Sequence, residues 1–249
     1  MIDPLWKWRS EPAVEHSPEG REALLAGDLE TAGRIFAQSD QAGDLVGLGD
    51  VHTLLGEVPV EPYERAARIA PTSPFVACGL SQSLVLRGES GYAVELLERV
   101  PDDPIVRYHL AGALLCLADE VRSVTRDERL VITSRPQFDA CSNVAERVAA
   151  IADDPGQLAA AEQLRKQIRD GARLVWYPEG MAMALLAVAM GVGLLMVVFG
   201  GANYLVPLVV AGALVGAGGV FAIVWGFRRQ AWQVRARQVG ATVWRHGIQ

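Results

Sequence analysis

The chain has 249 residues, just over half of them apolar and only 7% aromatic, enough for one or two domains. All 29 acidic side chains lie at or before Glu179; residues 1–180 carry a net charge of −11, residues 181–227 carry none, and residues 228–249 carry five Arg and no acid. An acidic first part excludes a nucleic-acid surface there, because phosphate contact needs clustered cations, and three widely spaced cysteines exclude a disulfide framework or a paired-cysteine metal site.

Residues 1–17 begin the chain as a segment in which acids and prolines interrupt every apolar run, so no signal-peptide core is expected in it. From there one device repeats. Ser17-Pro18, Ser73-Pro74, Asp103-Pro104 and Asp154-Pro155 each precede an apolar-periodic stretch, and a Ser or Asp cap followed by Pro starts a helix. The periodicity predicts helices over 18–26, 29–39, 43–55, 61–70, 74–87, 90–100, 104–124, 136–152 and 155–175. Only residues 130–133 (LVIT) read as extended. The expected class is all-α, built of short antiparallel helix pairs over residues 18–177.

The segment GDLETAGRIF resembles the junction and second helix of a tetratricopeptide repeat, with Gly27, Ala32 and Phe36 at its small, small and large positions. YERAARIAPTSP resembles the end of such a repeat through Tyr63, Ala66 and Pro71, and a further one is similar through Ala77, Leu80, Leu84, Gly88, Ala93 and Leu97. A last first helix begins at Pro104 with Leu110, Ala111 and Leu114. The resemblance covers about residues 19–115 and departs from the family pattern at Ser81 and Pro59; another small α-helical bundle is the alternative. Stacked hairpins of this kind bury faces that no single pair buries alone. The resemblance implies a groove along the first helix of each pair that takes a peptide or protein partner. It places Phe75, Cys78, Gln82 and Val85, with Tyr108, along that groove, and Leu80 and Leu97 in the core.

Two uncharged runs follow, 181–199 and 204–227, each long enough to cross a roughly 30 Å hydrocarbon core as a helix. The turn 200–203 makes them an antiparallel hairpin, with Gly200 and Gly201 expected at its helix cap and Pro207 in the next helix's first turn. Small residues, chiefly Gly191, Gly212 and Gly216, are expected either to pack the hairpin or to meet a second copy, giving a homo-oligomer. No ionisable side chain lies in either span, which argues against an ion path. Lys166, Arg169 and Arg173 before the first span, and Arg228, Arg229 and Arg235 after the second, place both ends in the cytoplasm. In the tail 228–249, Trp232, Ala236, Val239 and Val243 fall on one helical face beside these arginines. That reads as an interfacial helix on membrane lipid, or as a plain basic tail that enforces topology.

Chemistry-bearing patterns are missing. His16, His52, His109 and His246 are scattered without metal-ligand spacing, and the glycines of residues 46–50 lack the strand and Lys of a phosphate loop. The acid pairs Asp102-Asp103 and Asp153-Asp154 precede Pro at helix starts and read as caps. No catalytic residue, metal or cofactor is predicted. The expected function is an inner-membrane interaction scaffold, with an accessory subunit of a membrane complex as the alternative.

Overall fold

The computed structural model describes residues 2–10 and 12–248. Its contacts divide it into two units: one holds the chain up to Val131, Arg135–Lys166 and the residues from Trp244, the other Ile132–Ser134 and Gln167–Val243.

The first unit opens with a one-turn helix, α1 (Trp6–Arg9), followed by four helix pairs: α2 (Pro18–Ala26) with α3 (Leu29–Phe36), α4 (Ala42–Leu54) with α5 (Glu61–Ile69), α6 (Pro74–Leu86) with α7 (Ser90–Glu98), and α8 (Pro104–Val121) with α9 (Arg135–Ile151). A further helix, α10, runs Pro155–Ala172. Three of the four Ser/Asp-Pro signals cap as expected. Ser73 Oγ accepts from the Val76 amide at 3.5 Å, Asp103 from Ile105 at 2.8 Å, and Asp154 from Gln157 at 2.9 Å. Ser17 does something else. Its amide and hydroxyl donate to the buried Asp44 carboxylate at 2.6 and 2.7 Å, tying the start of α2 to α4. Gly27 and Gly88, each just beyond a helix, hold the left-handed angle that turns the chain back into its partner helix.

The pairs stack so that first helices form a layer, α4 touching α2 and α6, and α6 touching α8. Aromatic rings from the second helices lock this layer. Phe36 on α3 is fully buried between two glycines: a Cβ at Gly20 or at Gly47 would come within 2.5 Å of its ring. Tyr63 on α5 is held the same way between Gly49 and Gly79, whose added Cβ atoms would lie 2.6 and 2.9 Å from it. This is the small-against-large packing that lets paired helices repeat at close spacing. The two glycines of residues 46–50 thus admit rings. Leu97 is buried, whereas Leu80 is only partly so, at the margin of the core.

α8 ends three residues earlier than expected. Arg122 turns extended, and Ser123–Thr125, with β-branched Val124 and Thr125, forms a strand, β1, pairing antiparallel with β2 (Leu130–Val131) through Ser123↔Val131 and Val124↔Leu130. The expected extension at 130–133 is therefore present over its first two residues.

In the second unit β3 (Leu174–Trp176) leads into α11 (Glu179–Ala202), which returns as α12 (Val206–Phe227), β4 (Arg228–Gln230) and α13 (Ala231–Val239). β3 and β4 pair antiparallel across the base of the hairpin, Leu174↔Gln230 to Trp176↔Arg228. The tight turn lies later than expected. Gly200 and Gly201 remain helical, Asn203 caps α11 with its side-chain amide on the Phe199 carbonyl at 2.8 Å, and Tyr204 takes the positive φ. Gly200 stays helical because the returning chain passes over it: an added Cβ would lie 2.9 Å from the Val209 nitrogen. The tail face is shorter than expected too. α13 stops at Val239, and Val243 opens β5 (Val243–Arg245), the third strand of the sheet, beside β1.

Candidate functional site

The densest set of buried polar and aromatic contacts is made by the segment before the first pair, where no element was expected. Asp3-Pro4 starts a turn: the Asp3 carboxylate accepts the Leu5 amide at 2.9 Å and its carbonyl accepts that of Trp6 at 3.2 Å. Arg9 pairs with Asp3 at 2.7 Å and covers the Trp6 ring. The strap of residues 2–9 is thus closed on itself, and it presents Ile2, Trp6, Lys7 and Trp8 to the layer of first helices.

Each of the four first helices takes part. Trp8, fully buried, meets Phe75 of α6 edge-on with ring centroids 4.8 Å apart and stacks beside Phe36 at 5.7 Å. Trp6 lies flat on Tyr108 of α8 at 4.2 Å. Ile2 covers Gly112 of α8, where an added Cβ would meet it at 2.5 Å. Arg21 of α2 donates to the Trp8 carbonyl at 3.1 Å, and the Asp3 amide donates to the Tyr108 hydroxyl at 3.3 Å. At the centre, Asp50 of α4 receives three donors: the Lys7 ammonium at 2.8 Å, the Trp8 indole N–H at 2.5 Å and the Tyr63 hydroxyl at 2.8 Å.

Lys7 and Asp50 are both wholly buried, a placement that requires each to hold its partner. Burial pushes the Asp50 carboxyl upward while the Lys7 charge and the donated bonds pull it down. Burial, and then Asp50, raises the Tyr63 phenol well above its ordinary value. Burial drives the Cys78 thiol up to about 12 against the opposing Lys7 charge. A thiol so placed stays protonated and is a poor nucleophile. His109, next to Tyr108, is pushed well below the usual imidazole value by burial and then by Lys7.

The groove residues implied by the repeat resemblance do not line an open surface in this structure. Phe75, Cys78 and Gln82 are buried, and Val85 and Tyr108 are half-buried. The strap covers Phe75 and Tyr108 directly, and its Lys7 charge acts on Cys78. Gln82 lies further along α6 with its side-chain carbonyl oxygen unpartnered. Sequence reasoning missed Trp6, Lys7, Trp8 and Asp50. The available signal was two of the chain's six tryptophans in its first eight residues, too many for a solvated leader.

In the hairpin, Gly212 meets the opposite backbone, an added Cβ falling 2.8 Å from the Gly193 carbonyl oxygen and 2.9 Å from the Val197 nitrogen. Gly216 sits nearby with more room, 3.7 Å from the Gly193 Cα. Gly191 does not join them: nothing lies within 4 Å of its added Cβ, because its position on α11 is turned away from α12 and Gly193 takes its place. Arg228, Arg229 and Arg235 are exposed. Trp232, expected on a lipid-facing side, is instead buried and donates its indole N–H to Gln230 at 2.7 Å.

No protein-family model matches the chain, and no curated protein matches it. Among solved structures it is similar to a MamA point mutant, at 19% identity over 68% of this chain and 92% of that one, with a TM-score of 0.37. It is likewise similar to MamA MSR-1, at 20% identity over 67% and 99%, with a TM-score of 0.36. Superpositions this loose leave function to be argued from the chain's own residues.

Proposed function

We propose that the protein is a membrane-anchored interaction scaffold whose tetratricopeptide-like unit binds a protein or peptide partner at the layer of first helices. The observation that carries this reading is the strap. Eight residues with a single turn of helix sit across all four first helices by side-chain insertion, so this face is shaped to take a short aromatic segment.

Anchoring rests on α11 and α12. Both have the length and hydropathy of membrane spans, and only 11% of either apolar window is buried in the protein. A soluble core helix hides its apolar face; these two expose it. With arginines flanking both outer ends and none in the turn, both termini belong in the cytoplasm and the turn at Asn203–Tyr204 outside. A reporter active only outside the membrane, fused after residue 248, is expected to stay silent; activity there overturns the topology.

The functional experiment replaces the hairpin, residues 179–227, with an unrelated two-span hairpin and compares partners crosslinked in native membranes. A scaffold retains them. Their loss makes the hairpin the principal contact and the helical unit a cap on a membrane complex.

A further inference from the structure

We propose that the strap is a built-in ligand that occupies the scaffold's binding face, and that the partner displacing it is a peptide with the same chemistry: a basic side chain flanked by two aromatic ones. This rests on the scaffold reading and adds the recognition code to it.

Three observations support it. The strap is built like a docked peptide. Its backbone hydrogen bonds are made within itself, and among the described residues no backbone–backbone bond joins residues 2–9 to the helices. Its hold on the face comes from Trp6, Lys7 and Trp8, with Arg21 and Tyr108 making the two polar ties to its backbone. The face also specifies charge. Asp50 is an anion with no solvent access, so whatever occupies this position must bring a cation and N–H or O–H donors to it. A Trp-Lys-Trp-like segment supplies both, and an acidic or purely aliphatic one leaves Asp50 with the Tyr63 hydroxyl but no cation. Finally, both ring nitrogens of the fully buried His109, beside Tyr108 and within reach of the Lys7 charge, lack a hydrogen-bond partner. Buried polar groups are ordinarily satisfied, so a peptide that reaches and pairs His109 outcompetes the strap. An occupied face also lowers the apparent affinity of weak ligands by the fraction of time it is closed, giving the scaffold a threshold for engagement.

The test uses the full chain in detergent or membranes and reads two thiols by alkylation and peptide mapping. Cys78 lies one turn from Phe75 under the strap, whereas Cys141 is buried on α9. Lys7→Glu sets a like charge against Asp50 and should eject the strap. Its Cys78 should then react roughly ten-fold or more faster than in the parent, since the thiol becomes accessible, while Cys141 keeps its protection. Adding a synthetic peptide of residues 2–10 (IDPLWKWRS) in trans should restore Cys78 protection in Lys7→Glu, and the same peptide with Glu at the Lys7 position should not. Trp8→Ala is the second variant, with the same expectations. If Cys78 and Cys141 open together in both variants, the strap is an inseparable part of the fold and the proposal fails. It fails equally if Cys78 stays protected in both, or if it opens alone and the peptide does not protect it. Loss of crosslinked partners on hairpin exchange would overturn the scaffold reading while leaving these thiol results in place.

Discussion

Glycines in the two units make room for different things. In the helical-repeat unit Gly20, Gly47, Gly49 and Gly79 admit aromatic rings, Phe36 and Tyr63, that come from second helices and wedge the first helices into register. In the hairpin Gly193, Gly212 and Gly200 admit backbone, with Gly219 against the Ala189 Cβ. The difference accords with the proposed membrane placement of the hairpin. In water, burying a ring is itself stabilising, so a small residue is best used as a socket for a large one. Between helices in lipid there is no such gain, and close backbone approach supplies the packing instead. The strap belongs to the first regime: it adds Trp8 to the ring cluster and brings a buried charge pair, of which the hairpin's apolar runs have no counterpart.

That charge pair gives the largest expected effect. Asp50→Ala leaves the Lys7 ammonium buried without an anion and is expected to destabilise the helical unit by roughly 3–5 kcal/mol. Urea unfolding of the full chain followed by circular dichroism measures it. A loss under about 1 kcal/mol would mean that the charge pair contributes little to the stability of the helical unit.

The ring sockets come next. Gly47→Ala drives a methyl into the Phe36 ring and should cost about 1–3 kcal/mol. Trimming the ring in the double variant Gly47→Ala/Phe36→Leu should recover part of that cost, because the obstacle is a side chain. Gly212→Leu has no such rescue, since its obstacles are the Gly193 carbonyl and the Val197 nitrogen. Crosslinking of a cysteine pair placed at Ala189 and Gly219 reads the separation of α11 and α12; its yield should fall in Gly212→Leu whatever side chain nearby is shortened.

A smaller effect depends on pH. His109 is held neutral in the folded unit by burial and the Lys7 charge, with its pKa well below the ordinary 6.5. The unfolded chain takes up a proton below about 6.5 and the folded one does not, so stability present above that pH is lost as pH falls toward the folded value. The slope approaches about 1.4 kcal/mol per pH unit between the unfolded and the folded values. Relative to the parent, His109→Gln should lose that slope in melts across this range; equal slopes would place a hydrogen-bond partner on His109.

Much of this fold was legible in advance because its signals are local. Ser73-Pro74 and Asp103-Pro104 start helices through contacts two or three residues away, and the apolar runs of 181–199 and 204–227 declare themselves by composition. What escaped is non-local. The end of α8 at Val121 depends on strand pairing with Leu130–Val131, and Ser17 was drawn from its cap to Asp44, distant in sequence. The proposed binding face was half legible: the repeat register singled out Phe75, Cys78 and Tyr108, which lie on first helices. It could not show that Trp6 and Trp8, from a stretch with no helical period, would cover them. Nor does sequence period distinguish Gly191 from Gly193, two positions apart on a helix that is apolar all round.

The smallest expected effect discriminates between those two glycines. Gly191→Ala puts a methyl where nothing lies within 4 Å, so hairpin packing should be unchanged, with a helix-propensity gain of at most about 1 kcal/mol. Gly193→Ala brings a methyl to 2.8 Å from the Gly216 Cα and 2.9 Å from the Gly212 carbonyl oxygen, and should lower the Ala189–Gly219 cysteine-pair yield. The same variants separate intrachain from interchain packing. If Gly191→Leu leaves the intrachain pair intact but abolishes crosslinks between copies, the open face of α11 is a contact between molecules. If it changes neither, Gly191 has no packing role, and the hairpin is packed by Gly193, Gly212, Gly200 and Gly219.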